Sequence, residues 1–307
     1  MNGILFVVNP VSGGTAKAAP KTLIEQWCSQ QEVVYQLFET TGKEDAARLA
    51  ERIEQAQPAI VVACGGDGTL NLVARQLLGT SMTLGILPLG SANGLATDLR
   101  IPENVGAALD VLSTGHTLNL DVLLINERHH CLHLSDIGYN ARLIQEFESD
   151  TERGKRGYLK SFFRVARERP LARFRIQLGE HRYVRRGVMA TFANARRYGT
   201  GAIVNPFGQL DDGQFETCIF MPWPRWYLLW MSILFFIGRV DKSKYVKILS
   251  GDQVRVDADR PLPLQVDGEL VGDVQSVVVR ILPEKVKVLI PNESQRGLPF
   301  DQSPQSG

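Results

Sequence analysis

Over the first 120 residues, short apolar runs alternate with amphipathic stretches. Residues 3–8, 33–38, 59–63 and 83–87 are brief, apolar and bounded by turn residues, so they predict buried strands. The stretch up to about Gln30, then 43–55 and 70–78, predicts helices, and helical pieces continue to Leu112. This alternation predicts a Rossmann-like three-layer α/β domain, a parallel sheet covered by helices. Ligands of such sheets bind beyond the carboxyl ends of the strands. Three glycine-bearing loops fall there, at 9–14, 65–68 and 90–94.

Past Leu120 the pattern changes. Short β-rich runs follow at 122–125, 173–178, 188–194, 215–220, 246–249, 254–257, 262–266, 277–281 and 286–290. Gly179-Glu180, Asp212-Gly213 and Asp267-Gly268 supply turn chemistry between them. The pattern predicts an all-β sandwich, interrupted by helices near 140–148 and 158–167. The expected division is 1–121 as an α/β domain, 122–291 as the sandwich and 292–307 as a flexible tail rich in Pro, Gln and Ser, with a cleft between the two domains.

The run Cys64-Gly65-Gly66-Asp67-Gly68-Thr69-Leu70-Asn71 carries the clearest chemistry. Glycines at a strand-to-helix turn let backbone N–H groups approach an anion. An aspartate in that nest repels a bare phosphate, but it fits one that carries a divalent metal. The same turn would also serve simply to pack a helix on a sheet.

Composition narrows the picture only modestly. The chain has 307 residues, 44% of them apolar, and a net charge of +1. The four cysteines are scattered, which argues against a zinc site or a disulfide framework and for a reducing compartment. No signal peptide is evident, so a cytoplasmic location is expected. Charge is concentrated between Thr151 and Arg186, where twelve Lys/Arg face three acids, a local balance of 12 − 3 = +9. Such a stretch is either a solvated face or an attractor of anionic headgroups. Residues 223–237 hold three tryptophans and are too short to span a membrane. They fit a core helix, an acyl-pocket wall or a membrane-interface element.

Taken in order, several motifs resemble the diacylglycerol kinase catalytic-domain family, especially its soluble bacterial lipid kinases, with sphingosine and ceramide kinases as relatives. They are Asn9-Pro-Val-Ser-Gly13, Gly65-Gly-Asp-Gly-Thr69 with Asn71, Pro88-Leu-Gly-Ser-Ala-Asn93, Asp212-Gly213 and Asp267-Gly-Glu269. Together they span nearly the whole chain. The resemblance implies that Asn9, Ser12, Gly13, Thr40, Gly65, Gly66, Asp67, Gly68, Thr69, Leu70, Asn71, Leu72, Gly90, Ser91 and Asn93 lie on ATP. It makes Asp267 the base that takes the proton of a lipid hydroxyl. Glu269 would be its neighbour, and Asp67 would help to organise magnesium. It also implies a second Mg²⁺ on Asp212 and the carbonyls of Gln209 and Gln214. By their own signal, Asp267-Gly268 reads as a hairpin turn, and Thr41 to Glu44 as a helix capping box beside Thr40.

The chain departs from the family pattern in two places. Asn93-Gly94 stands where Asn-Asp is usual, and Leu72 stands where many members have Glu; Asp67 and Asp121 match. The expectation is therefore an ATP- and Mg²⁺-dependent lipid kinase acting on a hydroxyl such as that of diacylglycerol. Transient contact with the anionic inner face of the membrane is expected, and no nucleic-acid partner. NAD kinase, which shares the Gly-Gly-Asp-Gly turn, and a catalytically weak regulatory protein are the rivals.

Overall fold

The computed structural model of the chain describes residues 3–12, 20–90, 93–142, 144, 171–198, 201–224 and 226–292. Two compact units emerge, one formed by 1–120 with 284–307 and the other by 121–283.

The first unit holds β1 (Ile4–Val8), α1 (Pro20–Gln30), β2 (Tyr35–Glu39), α2 (Asp45–Ala56), β3 (Ile60–Gly65), α3 (Asp67–Leu77), β4 (Thr83–Pro88), α4 (Gly94–Asp98), α5 (Val105–Thr114) and β5 (His116–Leu120). Its sheet runs β2-β1-β3-β4, followed by a strand from the far end of the chain and then β5. Strands β1 to β4 are parallel. Leu5, Phe6, Val61, Val62 and Leu84 are fully buried on them, as expected of strands covered on both faces. α1 packs with α5, and α2 with α3. β1 leads to β2 on one side, and β3 lies on its other side, so the strand order reverses between β1 and β3.

The strand at 286–290 corrects the expected domain division. It belongs to the first unit, not to the sandwich. It lies between β4 and β5, parallel to β4 at Val288–Leu84 and antiparallel to β5 from Val286–Leu120 to Ile290–His116. Without it β4, buried at Leu84 and Leu87, would carry an unpaired edge inside the unit. Its apolar pattern resembles that of the strands before it, so sequence order alone assigned it to the sandwich.

The second unit holds β6 (Leu123–Ile125), β7 (His129–Cys131), β8 (Leu134–Gly138), β9 (Ala172–Leu178), β10 (His181–Gly187), β11 (Met189–Ala193), β12 (Phe215–Phe220), α6 (Tyr227–Phe236), β13 (Val246–Gly251), β14 (Gln253–Val266) and β15 (Glu269–Ile281); the returning strand Val286–Ile290 is β16. Among the described residues of this unit, every strand pairing is antiparallel. The order is β13-β12-β11-β8-β14-β15-β6-β7, and the β9–β10 hairpin joins through β14. Phe174, Phe192, Phe215, Val256, Leu264 and Val277 form one apolar core between the strands. The runs at 254–257 and 262–266 belong to one long strand, with a register shift between Asp257 and Leu262. Asp259, Arg260 and Pro261 break the apolar pattern there, and the bulge absorbs the break.

The expected helix near 140–148 begins as helical backbone at 139–142. The expected helix at 158–167, half of the basic run and the tail from residue 293 lie outside the described residues. The described half of the basic run forms the β9–β10 hairpin. Arg173 and Arg175 point outward there between buried Ala172, Phe174 and Ile176. On this hairpin the run is a solvated face.

Candidate active site

β3 ends at Gly65, and α3 starts at Asp67 after the single residue Gly66. A turn this abrupt needs residues without side chains. A Cβ on Gly65 would collide with the Thr69 side chain, and one on Gly90 with the Gly66 Cα. Thus the backbones of two glycine loops cross in direct contact. The Gly65 carbonyl accepts from the N–H groups of Leu89 and Gly90, at 2.9 and 3.2 Å.

Side chains lock the crossing. The Asn93 carboxamide accepts from Gly90 N–H at 3.0 Å and donates to the Gly90 carbonyl at 2.8 Å. The Asp67 carboxylate accepts from the N–H of Gly94, the first residue of α4, at 3.1 Å. The Gly94 backbone donor ties the second glycine loop to Asp67. The sequence carried no signal for this bond.

The neighbouring strand ends join the same edge of the sheet. Asn9 N–H donates to the Cys64 carbonyl, and Thr40 N–H to the Val8 carbonyl, both at 3.0 Å. Asn9 also closes its own turn, with its side chain accepting from Val11 N–H and its carbonyl from Ser12 N–H. Asn9, Ser12, Thr40, Gly65, Gly66, Asp67, Gly90 and Asn93 thus collect at the carboxyl ends of β1 to β4, where the strand order reverses. Gly13 and Ser91 lie outside the described residues. The capping box expected at Thr41 to Glu44 is replaced by Asp45. Its carboxylate takes the N–H groups of Thr41 and Gly42, while Glu44, the residue before the helix, lies in left-handed backbone and makes no capping bond. Burial raises the Asp45 pKa, but these bonds outweigh it and leave the net shift downward.

Two observations bear on whether this edge fits a nucleotide. The amides of Asp67, Gly68 and Thr69 open α3 and have no intrahelical acceptor. A Cβ on Gly68 would meet nothing within 4 Å, so the space beside these donors is open. Asn71, one turn on from Asp67, is buried, and its Nδ2 has no hydrogen-bond partner among the described residues. First-turn donors without an intrahelical acceptor beside an unobstructed glycine, and an orphaned buried amide one turn on, fit a phosphate-bearing ligand. Of the remaining residues expected on ATP, Thr69 and Leu70 are buried, and the Leu70 side chain is part of the core.

In the second unit, Asp267 and Gly268 form the two-residue turn between β14 and β15, with φ of 49° and 88°. Positive φ at both positions is what a type I′ hairpin requires. The carboxylate folds back on the loop before β8. Oδ1 accepts from His133 N–H at 2.9 Å, Leu134 N–H at 3.1 Å and the Cys131 thiol at 3.3 Å. Among the described residues, Oδ2 accepts from Leu132 N–H alone, at 2.8 Å, which leaves it a further lone pair. Burial, then the Asp267 carboxylate, hold the Cys131 thiol well above its ordinary range, so it stays a donor. Asn194 braces the same loop by donating to the Leu132 carbonyl at 2.8 Å. Glu269 is exposed at the start of β15.

Behind this turn stands a buried polar network that the sequence did not reveal. Asp136 accepts from Gln265 Nε2 at 2.6 Å, Asn140 Nδ2 at 2.7 Å, Tyr198 Oη at 2.9 Å and Ala141 N–H at 2.9 Å. Gln265 Oε1 in turn accepts from Gly268 N–H at 2.7 Å, linking the network to the hairpin turn. Burial raises the Asp136 pKa, and the four donors pull against it. Asp136→Ala would leave these donors facing a void. It is expected to destabilise the unit by about 3 kcal/mol, read as a fall of several degrees in Tm.

Gln209, Asp212 and Gln214 share the exposed loop before β12. Asp212 Oδ1 accepts from Gln214 N–H at 2.9 Å, and Gly213 N–H donates to Asp121 at 2.8 Å. The loop offers one carboxylate beside backbone carbonyls. Among the described residues, no three His, Cys, Asp or Glu side chains come together as a metal site. A Mg²⁺ here would keep much of its water, which is consistent with its coordination habits.

Comparison with known proteins agrees with the fold. Residues 3–125 match the model of the diacylglycerol kinase catalytic domain, and 136–290 that of the YegS C-terminal NAD kinase beta sandwich-like domain. An uncharacterized Synechocystis protein is 25% identical over 94% of this chain and 70% of its own length. The Escherichia coli protein described as "Probable lipid kinase YegS" is 30% identical over 59% of this chain; the match spans 62% of its length. A crystal structure of a diacylglycerol kinase from Bacillus anthracis covers 95% of this chain and 98% of its own, with a TM-score of 0.72 at 16% identity. An NAD kinase from Archaeoglobus fulgidus in complex with ATP shares the fold more distantly, covering 95% of each chain with a TM-score of 0.54 at 12% identity. On its two domain matches, the chain belongs to the diacylglycerol kinase catalytic-domain family.

Proposed function

We propose that the chain is an ATP-dependent lipid kinase that phosphorylates a lipid hydroxyl, such as that of diacylglycerol. The observation that carries this reading is the crossing of two glycine backbones beside the open amides of α3. Mg·ATP would supply the transferable phosphoryl group and neutralise its charge. Phosphoryl transfer asks little covalent chemistry of the protein, so positioning and electrostatics dominate. The amides of Asp67, Gly68 and Thr69 orient the phosphates. Asp67, held by Gly94, would help to hold a Mg²⁺ that comes with the nucleotide. Asp267 accepts the hydroxyl proton at Oδ2, the oxygen with one bond rather than three. In such a reaction the alignment of the hydroxyl matters most. Gln209, Asp212 and Gln214 would hold a second, structural Mg²⁺ in the second unit.

Gly68→Ala isolates the phosphate contact. The added methyl meets open space within a helix, so the fold should be unchanged or up to about 1 kcal/mol more stable. ATP affinity, read by calorimetry, should fall roughly tenfold, about 1.4 kcal/mol. Unchanged affinity would show that no phosphate occupies this space.

A further inference from the structure

α6 is apolar on every side but is buried on only one. Met231 and Leu234 sit in a core cluster with Cys218, Phe220 and Val240, against which Tyr227 and Phe235 pack. On the other side lie Trp226, Leu229, Trp230, Ile233, Phe236 and Ile237, between 41% and 77% exposed. Steps of three and four residues place these six on one continuous helix stripe. Six large apolar side chains in one stripe are far from a random scatter of surface hydrophobics.

The flanks of this stripe are basic. From Met221 to Ser250 the sequence carries Arg225, Arg239, Lys242, Lys244 and Lys247 against Asp241 alone, so the segment is +4 (5 − 1). Arg239, Lys242, Lys244 and Lys247 are exposed. Lys244 Nζ lies 5.3 Å from the Tyr245 ring centroid, and that ring meets Tyr227 at 4.9 Å, which meets Trp226 at 5.6 Å. Cations therefore continue directly into the aromatic stripe.

We infer that this face docks on an anionic phospholipid surface. Tryptophans beside lysines are the side chains that settle at the headgroup level, and each nearby cation adds electrostatic attraction. At ten residues α6 is too short to cross a bilayer, so it lies in the interface plane. The inference rests on the lipid-kinase reading only for its purpose, which is to bring the protein to an acceptor that lives in a membrane.

The test is flotation of the full chain, without nucleotide, with vesicles of phosphatidylcholine and phosphatidylglycerol in equal parts. The protein should float with them, release as salt is raised and float poorly with pure phosphatidylcholine. Leu229→Ser with Phe236→Ser should weaken binding roughly tenfold or more, with Tm and transfer to a short-chain diacylglycerol in detergent micelles unchanged. Failure of the parent chain to float, or equal flotation of the variant, overturns the inference. So does a stable dimer that the same pair of substitutions dissociates while flotation stays absent. Flotation without lipid phosphorylation would refute the kinase reading alone, and phosphorylation in micelles without flotation would refute the docking alone.

Discussion

Asp267→Asn is expected to lower lipid phosphorylation by about a thousandfold, within the range by which a positioned proton acceptor accelerates such steps. The substitution keeps the side chain's size but exchanges a carboxylate oxygen for an amide nitrogen. Oδ1 faces three donors and Oδ2 faces one. The retained oxygen should therefore stay with His133 and Leu134, where more bonds are kept. The amide nitrogen then replaces Oδ2, the atom assigned to the hydroxyl proton. It becomes a donor pointed at Leu132 N–H, and a modest fall in Tm should accompany the loss of activity. Affinity for ATP, an assay of the first unit, should be unchanged. Undiminished turnover in a folded Asp267→Asn protein would remove Asp267 from the chemistry and leave it a clamp on the 132–134 loop.

Gly90→Ala should have the second large effect, on nucleotide affinity rather than on proton transfer. The new Cβ would fall on the Gly66 Cα and 2.7 Å from Asn93 Oδ1. Neither neighbour can yield as the end of a flexible side chain could, because one is backbone and the other closes the loop through Gly90. The two loops must part, and the Asp67–Gly94 bond that depends on their crossing parts with them. ATP affinity should fall tenfold or more, upward of about 1.4 kcal/mol, while the β-sandwich unit melts as before. The contrast with Gly68→Ala is informative. Gly90 is required by backbone contact, whereas at Gly68 only a bound ligand would object to the methyl.

Much of the fold was legible because each element obeys one rule at a time. The strands at 4–8, 60–65 and 83–88 are continuous apolar runs between turn residues, and α3 follows a glycine turn that has no other local solution. What was missed depends on pairing at long range. β5 reads HTLNL, with an exposed face, and is a strand only because β16 returns 170 residues later to pair with it. β10 is nearly all polar and exists as the outer half of a hairpin whose inner strand carries the core residues.

The site divides in the same way. Asp67, Gly90 and Asn93 were singled out because glycine-rich turns announce themselves. The bonds that fix them were invisible, since an Asp67–Gly94 contact spans 27 residues and uses a backbone donor that any residue type would offer. The Asp136–Gln265–Gly268 relay was equally hidden. Asp136 lies in a run that reads as ordinary strand, and nothing in the sequence marks Gln265 or Tyr198 as its partners. At 223–237 the sequence left core helix, acyl-pocket wall and membrane-interface element as alternatives; the structure buries one side of α6 in a core cluster and leaves the other exposed.

The most direct test of the central claim is incubation of the purified chain with Mg²⁺, γ-labelled ATP and a dispersed bacterial lipid extract, followed by organic extraction. Label should appear in a phosphorylated lipid, vanish with EDTA and be nearly absent with Asp267→Asn. Label confined to inorganic phosphate, or a product formed only when NAD is supplied, would contradict the account.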